Sequence, residues 1–599
     1  MEFSPHNQQI HLLGLNDQQR EAVLCKDSIV FVNAGPGTGK THMLTSKLVD
    51  VIVSSPTPQK IVALSYTNTA ARQLGERFRK KVKECGITAT YSFFNGTIHS
   101  FCFRMMKQFG ETAFDYVILD DEELYEMAQE LEQEYAGNYS KQEILSILRS
   151  KNNDMANTLS SEIFAIKEAY KVLSIQDILL KFIQMLDEDP AFGQWMANQV
   201  SVIAIDEAQD LSLLNYTILD RLLAVNPELR IFIVGDPRQN IFEFNGGSYK
   251  NLEEFLSLYP MHAEKDLSIT YRCGQAIANF VNGFRFDDCS NLDLQSATTE
   301  RGTVELTKVP NEAAEAECVL DAISNLGDIS SCAVLCNNLR SMDRLISLMQ
   351  ERRMPYKVYG GQKSLKRHIR FLNHILRILA SDNAYSIRKI AEYAGIDLLE
   401  GGKRKRSKFY ASDLGRILTE IRMENESLIF PEVLSQVISR IMRDPSDDEV
   451  ISGDYDELLS MAGMFTTITD YLLAFSTDKE RFSQFYQKDF DECPFPVHEE
   501  YLTLSTIHSA KGLEWDHVFI MGLCEGNFPN PFFAKGLSPE KQQEFFNAEW
   551  KKMYVAATRA RVTLHLSFPA SIFRQGYRFN KEPSRFILSL LPEATHLAG

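Results

Sequence analysis

Ala34-Gly35-Pro36-Gly37-Thr38-Gly39-Lys40-Thr41 directly follows the β-branched run Ile29-Val30-Phe31-Val32 and precedes an apolar segment with helical spacing. Glycines so spaced let the backbone turn until successive N–H groups face phosphate oxygens, and the helix N-terminus adds a favourable dipole. Lys40 is placed to reach β- and γ-phosphates, and Thr41 to ligate Mg²⁺. Ala34 stands where the strict pattern has glycine, a sterically mild change. An acidic pair, Asp206-Glu207, follows the run Val202-Ile203-Ala204-Ile205. Asp206 would hold Mg²⁺ through its water shell, and Glu207 would accept a proton from an attacking water. Two adjacent acids at a strand end also suit a solvated helix start. With the phosphate loop upstream, hydrolysis of a nucleotide γ-phosphate is the stronger expectation.

These residues need strands to carry them. The chain alternates short apolar strand signals with helical stretches, which predicts α/β domains with parallel sheets. The signals are 29–32, 61–64, 202–205 and 231–234, then 333–335, 518–521 and 562–566. They form an early and a late set, each interrupted. One interruption, 97–196, reads as helical and acidic, with Asp120-Asp121-Glu122-Glu123 inside it. The other, 381–494, is helical with a basic run, Lys403-Arg404-Lys405-Arg406-Ser407-Lys408, and an acidic stretch from Asp444 to Glu457. The expected layout is a first lobe of 1–96 and 197–270, and a second of 271–380 and 495–599. No repeat or low-complexity tract is present.

An apolar fraction of 44% with 24% charged residues excludes disorder, collagen-like repeats and coiled-coil rods. No apolar run approaches the ~18 residues that span a membrane, and Met1–His6 carries no signal-peptide pattern. The 10 cysteines are scattered without a CxxC pair, which predicts reduced thiols of a cytoplasmic protein and no zinc or iron–sulfur framework. The net charge of −17 at first weighs against a polyanionic partner. Its distribution removes that objection. Residues 97–196 hold 8 basic and 18 acidic residues, and 381–494 hold 14 and 22, so the remaining 385 residues carry 41 and 40 and are nearly neutral.

Beyond the phosphate loop the motifs come in a fixed order. Leu15-Asn16-Asp17-Gln18-Gln19-Arg20 is followed by Tyr66-Thr67-Asn68-Thr69-Ala70-Ala71 and Gly96-Thr97-Ile98-His99-Ser100-Phe101. Asp206–Asp210, Gly235–Phe242 and Thr270-Tyr271-Arg272 come next. Tyr356–Gly361, Thr506–Glu514 and Tyr554–Ala560 complete the series. This succession resembles the UvrD/Rep/PcrA family of superfamily 1 helicases, from about residue 15 to Arg585-Phe586. The resemblance implies two RecA-like P-loop lobes, each carrying a mainly helical insertion, with ATP and Mg²⁺ in the cleft between them.

By the same resemblance, Gln19 contacts adenine and Gln239 senses the γ-phosphate and its water. Arg272 and Arg559 act as arginine fingers on the charge that builds on the γ-phosphoryl oxygens, and Glu514 contacts the nucleotide sugar. Tyr66 and Phe244 match stacking positions for single-stranded DNA. Asn68 is a further DNA-binding position, and Thr97, His99 and His508 match positions near the DNA phosphates; for the histidines a loop-orienting role is the alternative. The chain departs from the family at Asn245, where an arginine usually follows the stacking aromatic, and at His42, which replaces a frequent arginine. No nuclease-sized domain is expected after Phe586. The basic run is either a contact to duplex ahead of a junction or a solvated loop. The leading expectation is a 3′→5′ single-stranded DNA translocase and helicase of repair or anti-phage defence. The alternative is a DNA-sensing ATPase that regulates a partner nuclease, as in Gabija-type systems.

Overall fold

The computed structural model describes residues 7–110, 116–135, 138–150, 158–241, 246–360, 363–400, 403–425, 429–442, 449–478, 481–488, 500–574 and 577–591. Phe244 and Asn245 lie outside these residues.

Two six-stranded parallel sheets organise the chain. The first contains β1 (Ile29–Ala34), β2 (Gln59–Leu64), β3 (Tyr91–Gly96), β4 (Val202–Ile205), β5 (Arg230–Gly235) and β6 (Ala263–Leu267), in the order β3-β2-β4-β5-β1-β6. The second contains β7 (Thr303–Val309), β8 (Cys332–Cys336), β9 (Tyr356–Tyr359), β10 (Leu502–Thr506), β11 (Trp515–Ile520) and β12 (Ala560–Pro569), in the order β7-β12-β11-β8-β10-β9. All neighbouring pairs in both sheets run parallel. Central strands are apolar on both faces because helices cover both. In β1, Ile29 and Phe31 enter one core while Val30, Val32 and Ala34 enter another. In β8, Ala333 and Leu335 divide in the same way from Cys332, Val334 and Cys336.

Helices start where side chains cap them. Asn16 and Gln19 form a reciprocal capping box on α1 (Asp17–Leu24). Thr67 caps α3 (Asn68–Glu84) and Thr97 caps α4 (Ile98–Phe109) through their side-chain oxygens, each satisfying an orphan N–H of the first turn. The helix after the phosphate loop, α2 (Lys40–Ser54), has no such cap; left-handed Gly39 starts it and its first N–H groups stay open.

Cores change at positions other than the expected domain boundaries. α4 lies after residue 97, yet Phe101, Cys102 and Met106 share the first lobe's core. The chain then forms α5 (Asp121–Glu134) and returns through α6 (Ile175–Glu188) and α7 (Pro190–Ala197), whose Phe182 and Phe192 join that same core. The separate core of the first insertion is confined to residues 117–172 plus Tyr385. The second insertion's core begins at Leu365 rather than 381. Its first helix, α8 (Arg367–Ser381), has a long apolar face that packs against other helices of the insertion and not against the second sheet.

The two insertions clasp each other. Glu122, Glu126 and Glu130 recur every fourth residue on α5 and face cations of α8 and α9 (Ala384–Tyr393). Arg370 pairs with Glu122 and Glu126, and Arg388 and Lys389 with Glu130. Deeper in, Arg377 binds the Glu123 carboxylate through both terminal nitrogens and donates to the Ile118 carbonyl at 3.1 Å. Asn383 donates to the carbonyls of Tyr170 (3.0 Å) and Lys171 (3.3 Å). Much of α5's negative charge is thus neutralised within the molecule. Arg370 and Arg377 precede residue 381, so the sequence partition had credited them to the second lobe.

Candidate nucleotide site and strand face

The phosphate loop sits at the carboxyl end of β1, between the ends of β5 and β6. Its backbone demands glycine at two positions. Gly37 has φ +71°, and a Cβ there would lie 2.4 Å from Arg272 Cβ and 2.6 Å from Thr270 Oγ1. Gly39 has φ +78°, and its Cβ would meet Gln19 Nε2 at 2.6 Å. Thr38 Oγ1 donates to the Gly35 carbonyl (2.8 Å), and Lys40 Nζ to the Ala34 carbonyl (3.3 Å). Pro36 lies within this turn. Gln19 is buried against the loop and donates to the Thr38 carbonyl at 2.8 Å. Its amide N–H is thus taken up by the loop itself.

Asp206 and Glu207 stand at the end of β4. Thr41 Oγ1 donates to Asp206 Oδ2 at 3.4 Å, and the Glu207 N–H to Asp206 Oδ1 at 3.0 Å. Glu207 holds a left-handed φ of +56°, uncommon for a residue with a side chain, and Gln209 Nε2 donates to its carboxylate at 2.6 Å. Burial and the adjacent Glu207 raise the Asp206 carboxyl. Burial would raise Glu207 too, but Lys40, Lys511 and Arg559 outweigh it and hold Glu207 ionised. A carboxyl pushed up beside a threonine hydroxyl and an open helix N-terminus is the donor set a magnesium nucleotide fits: Thr41 and Asp206 would hold the cation and the loop the phosphates.

The second lobe brings its arginines to this place. Arg272 donates from Nε to Glu514 Oε2 (2.6 Å) and from Nη1 to the Thr558 carbonyl (3.0 Å), and the Tyr271 N–H donates to the Gly37 carbonyl (2.8 Å). Arg559 is 2% exposed and donates from Nη2 to Gln239 Oε1 at 2.9 Å. Burial and the like charge of Arg272 push its guanidinium down to about 9, still charged at neutral pH. Lys40, Thr41, Asp206, Glu207, Gln239, Arg272, Arg559 and Glu514 therefore converge on one cleft.

Some participants were not expected. Lys511, inside the Thr506–Glu514 block, reaches across the cleft to both oxygens of Asp210 (2.7 and 2.6 Å) and to the Gln239 carbonyl (2.7 Å). Its position in a recognised block was the available signal. Asp236, in Gly235–Phe242, accepts from Arg238 Nε (2.8 Å) and Gln239 Nε2 (2.9 Å). Burial would raise its carboxyl, but Arg238 and Lys40 hold it below the usual range.

The residues expected at a DNA strand lie on the same carboxyl edges. Half-buried Tyr66 and Asn68 follow β2, Thr97 and His99 follow β3, and His508 follows β10. Burial pushes His99 down to about 4; burial, Lys552 and Lys511 do the same to His508. Both rings are neutral at physiological pH, so neither offers a phosphate a full positive charge, and His99 Nε2 is buried with no hydrogen-bond partner among the described residues. On the second sheet a cavity of about 230 Å³ opens at the ends of β7, β8, β11 and β12, lined by Glu315, Asn338, Arg340, Asn527 and Asn530 among others. Next to it, the hairpin β13 (Ser571–Arg574) and β14 (Tyr577–Asn580) exposes Phe573 and Tyr577. In the basic run, Lys403–Arg404 pairs with Leu399–Glu400, Arg406 is tied to Asp382 (3.2 Å), and Lys408 donates to the Leu399 carbonyl.

Residues 15–160 and 119–260 match the family model described as the UvrD/REP helicase N-terminal domain, and residues 457–571 match the UvrD-like helicase C-terminal domain. The chain is similar to the ATP-dependent DNA helicase PcrA of Staphylococcus aureus, 25% identical over 650 residues that span 97% of this chain and 86% of that protein. The protein of the same description from Leuconostoc citreum is 23% identical over 668 residues, with 98% and 86% covered. That of Staphylococcus epidermidis is 24% identical over 649 residues, with 97% and 86% covered.

Proposed function

Because the chain belongs to the UvrD/Rep/PcrA-like superfamily 1 helicases, we propose that it is an ATP-driven motor that moves 3′→5′ on single-stranded DNA and separates duplex at a junction. The observation that carries this reading is the seam between lobes: Arg272, Lys511 and Arg559 of the second lobe end within the phosphate-loop cleft of the first. Bound Mg·ATP supplies the phosphoanhydride to be cleaved. Lys40 and the loop N–H groups bind its phosphates, Thr41 and Asp206 hold the metal, Glu207 takes the proton of the attacking water, and Gln239 orients that water. Arg272 and Arg559 stabilise charge on the γ-phosphoryl oxygens only when the lobes are closed, so hydrolysis is tied to lobe movement. Tyr66 and its neighbours on the carboxyl edges hold the strand that this movement advances. Among the described residues no helix is long and apolar enough to cross a membrane.

Strand displacement on 3′-tailed and 5′-tailed duplexes tests the reading. The wild type should open only the 3′-tailed substrate, and Lys40→Ala should abolish both opening and ATP hydrolysis. DNA-stimulated hydrolysis without displacement would instead make the chain a DNA-sensing ATPase that regulates a partner such as a nuclease.

A further inference from the structure

Gln239 is held at both ends of its side-chain amide, and both holds lead to the same short stretch of the other lobe, the end of a helix and the turn just past it. Its Oε1 accepts from Arg559 Nη2 (2.9 Å) and its Nε2 donates to Asp236 Oδ2 (2.9 Å). The same Asp236 oxygen accepts a hydrogen bond from Tyr554 Oη at 3.2 Å. Tyr554 lies near the end of α10 (Pro539–Ala557), five residues before Arg559. The remaining carboxylate oxygen, Oδ1, is occupied by the N–H of Arg238 (3.2 Å) and its Nε (2.8 Å).

Nothing lets the tyrosine turn away. Its ring is fully buried, with edge-to-face contacts to Phe284 and Phe286 at 5.6 Å each, and the Arg238 guanidinium lies 5.2 Å above it. A phenol taken out of water must place its O–H on an acceptor, and Asp236 is that acceptor. Asp236 is itself wholly buried, so its hydrogen bonds are not shared with water.

The two tethers differ in what hydrolysis requires of them. To stabilise the γ-phosphoryl oxygens, Arg559 must turn its Nη2 from Gln239 to phosphate. To orient the attacking water, Gln239 must present the Oε1 that Arg559 now occupies. The direct tether therefore competes in the reactive state with phosphate at Nη2 and with water at Oε1. The indirect one, through Asp236 Oδ2, uses the other end of the amide and can persist. We propose that Tyr554 is a positioning residue for the hydrolytic water: through Asp236 it fixes the rotamer of Gln239 and makes that orientation conditional on the lobes being closed. This rests on the reading of the cleft as the ATP site and adds to it a residue that touches neither nucleotide nor DNA.

Tyr554→Phe keeps the ring packing and removes only the hydroxyl. ATP turnover at saturating single-stranded DNA should fall about 10-fold in kcat, the scale of one buried hydrogen bond to a charged group. KM for ATP should stay within about twofold and the melting temperature nearly unchanged, because neither phosphate contacts nor packing are altered. In a Gln239→Ala background the same change should add no further loss, since the residue it acts through is gone. An unchanged kcat overturns the proposal. So does an equal loss in the Gln239→Ala background, or a rise in KM in step with a lowered melting temperature. A wild type that does not hydrolyse ATP overturns the functional reading and this proposal with it, whereas an active wild type matched by Tyr554→Phe overturns this proposal alone.

Discussion

The cleft between the lobes and the seam between the insertions are both lined with opposite charges, yet they are built on opposite plans. At the insertion seam each named acid of α5 meets a cation of α8 or α9. In the cleft, beside the matched pairs Arg272–Glu514 and Lys511–Asp210, like charges also lie together: Arg272 lies close enough to Arg559 to lower it, and Asp206 is raised beside Glu207. Like charges held together in a buried place are costly unless something arrives to separate them. A matched seam is finished at rest, whereas the cleft, on the proposed reading, is completed by a magnesium polyphosphate.

The strongest attack on that contrast is Arg559→Ala. Removing the proposed finger should lower kcat for ATP hydrolysis by at least about 10³-fold while thermal stability holds, as steady-state kinetics and calorimetry will show. Arg377→Ala should do the reverse. It leaves the buried Glu123 without its guanidinium, with the Asp120 N–H (2.9 Å) still bonded to it, at a cost of about 3–5 kcal/mol, read as lost hydrogen-exchange protection over residues 117–172, with ATP hydrolysis unchanged. A third substitution concerns Glu315, a buried acid of the second lobe with no cation partner among the described residues. Its carboxyl accepts from the Gly522 N–H (2.9 Å) and the Ser567 hydroxyl (2.6 Å), and burial pushes it from 4.5 up to about 7. The folded state therefore keeps a proton that the unfolded chain releases, and stability falls as pH rises from about 4.5 to about 7, then levels. Glu315→Gln preserves both acceptor contacts and should flatten that slope, gaining up to about 3 kcal/mol over wild type at pH 8 relative to pH 4.5. Urea titrations at the two pH values measure it.

Much of this was legible in the chain. The phosphate loop and the acidic pair stand out because their residue types and spacing suit a phosphate and a cation, whereas Arg272 and Arg559 alone read as ordinary arginines and are singled out only by their place in the motif series. Central strands such as Ile29–Ala34 and Cys332–Cys336 stand out because burial on both faces leaves unbroken apolar runs. All four edge strands escaped. Tyr91–Gly96, Ala263–Leu267, Thr303–Val309 and Tyr356–Tyr359 are open to solvent on one side, and Ala263-Glu264-Lys265-Asp266-Leu267 is mostly charged. Leu502–Thr506 lies inside its sheet but alternates leucine with threonine and serine, so it too lacks a continuous signal. The insertion boundaries were misplaced because α4, α6 and α7 are helical like the insertion they flank; only their packing assigns them to the lobe. The Tyr554–Asp236–Gln239 chain joins residues more than 300 positions apart, and each alone reads as a buried tyrosine, aspartate or glutamine.

Tyr385 has a consequence for how the chain is made. It completes a core otherwise formed by residues 117–172, and Arg377 neutralises the buried Glu123 of that core. A ribosome that has finished the first lobe has made neither. Until about residue 389 emerges, α5 carries its row of glutamates without their cations, and the small core beside it lacks a wall. Contacts across so long a stretch close late, because the loop that joins them must be ordered first. Synthesis proceeds at about 5–20 residues per second, so the nascent first insertion should stay protease-sensitive for ten seconds or more after its own last residue has left the tunnel.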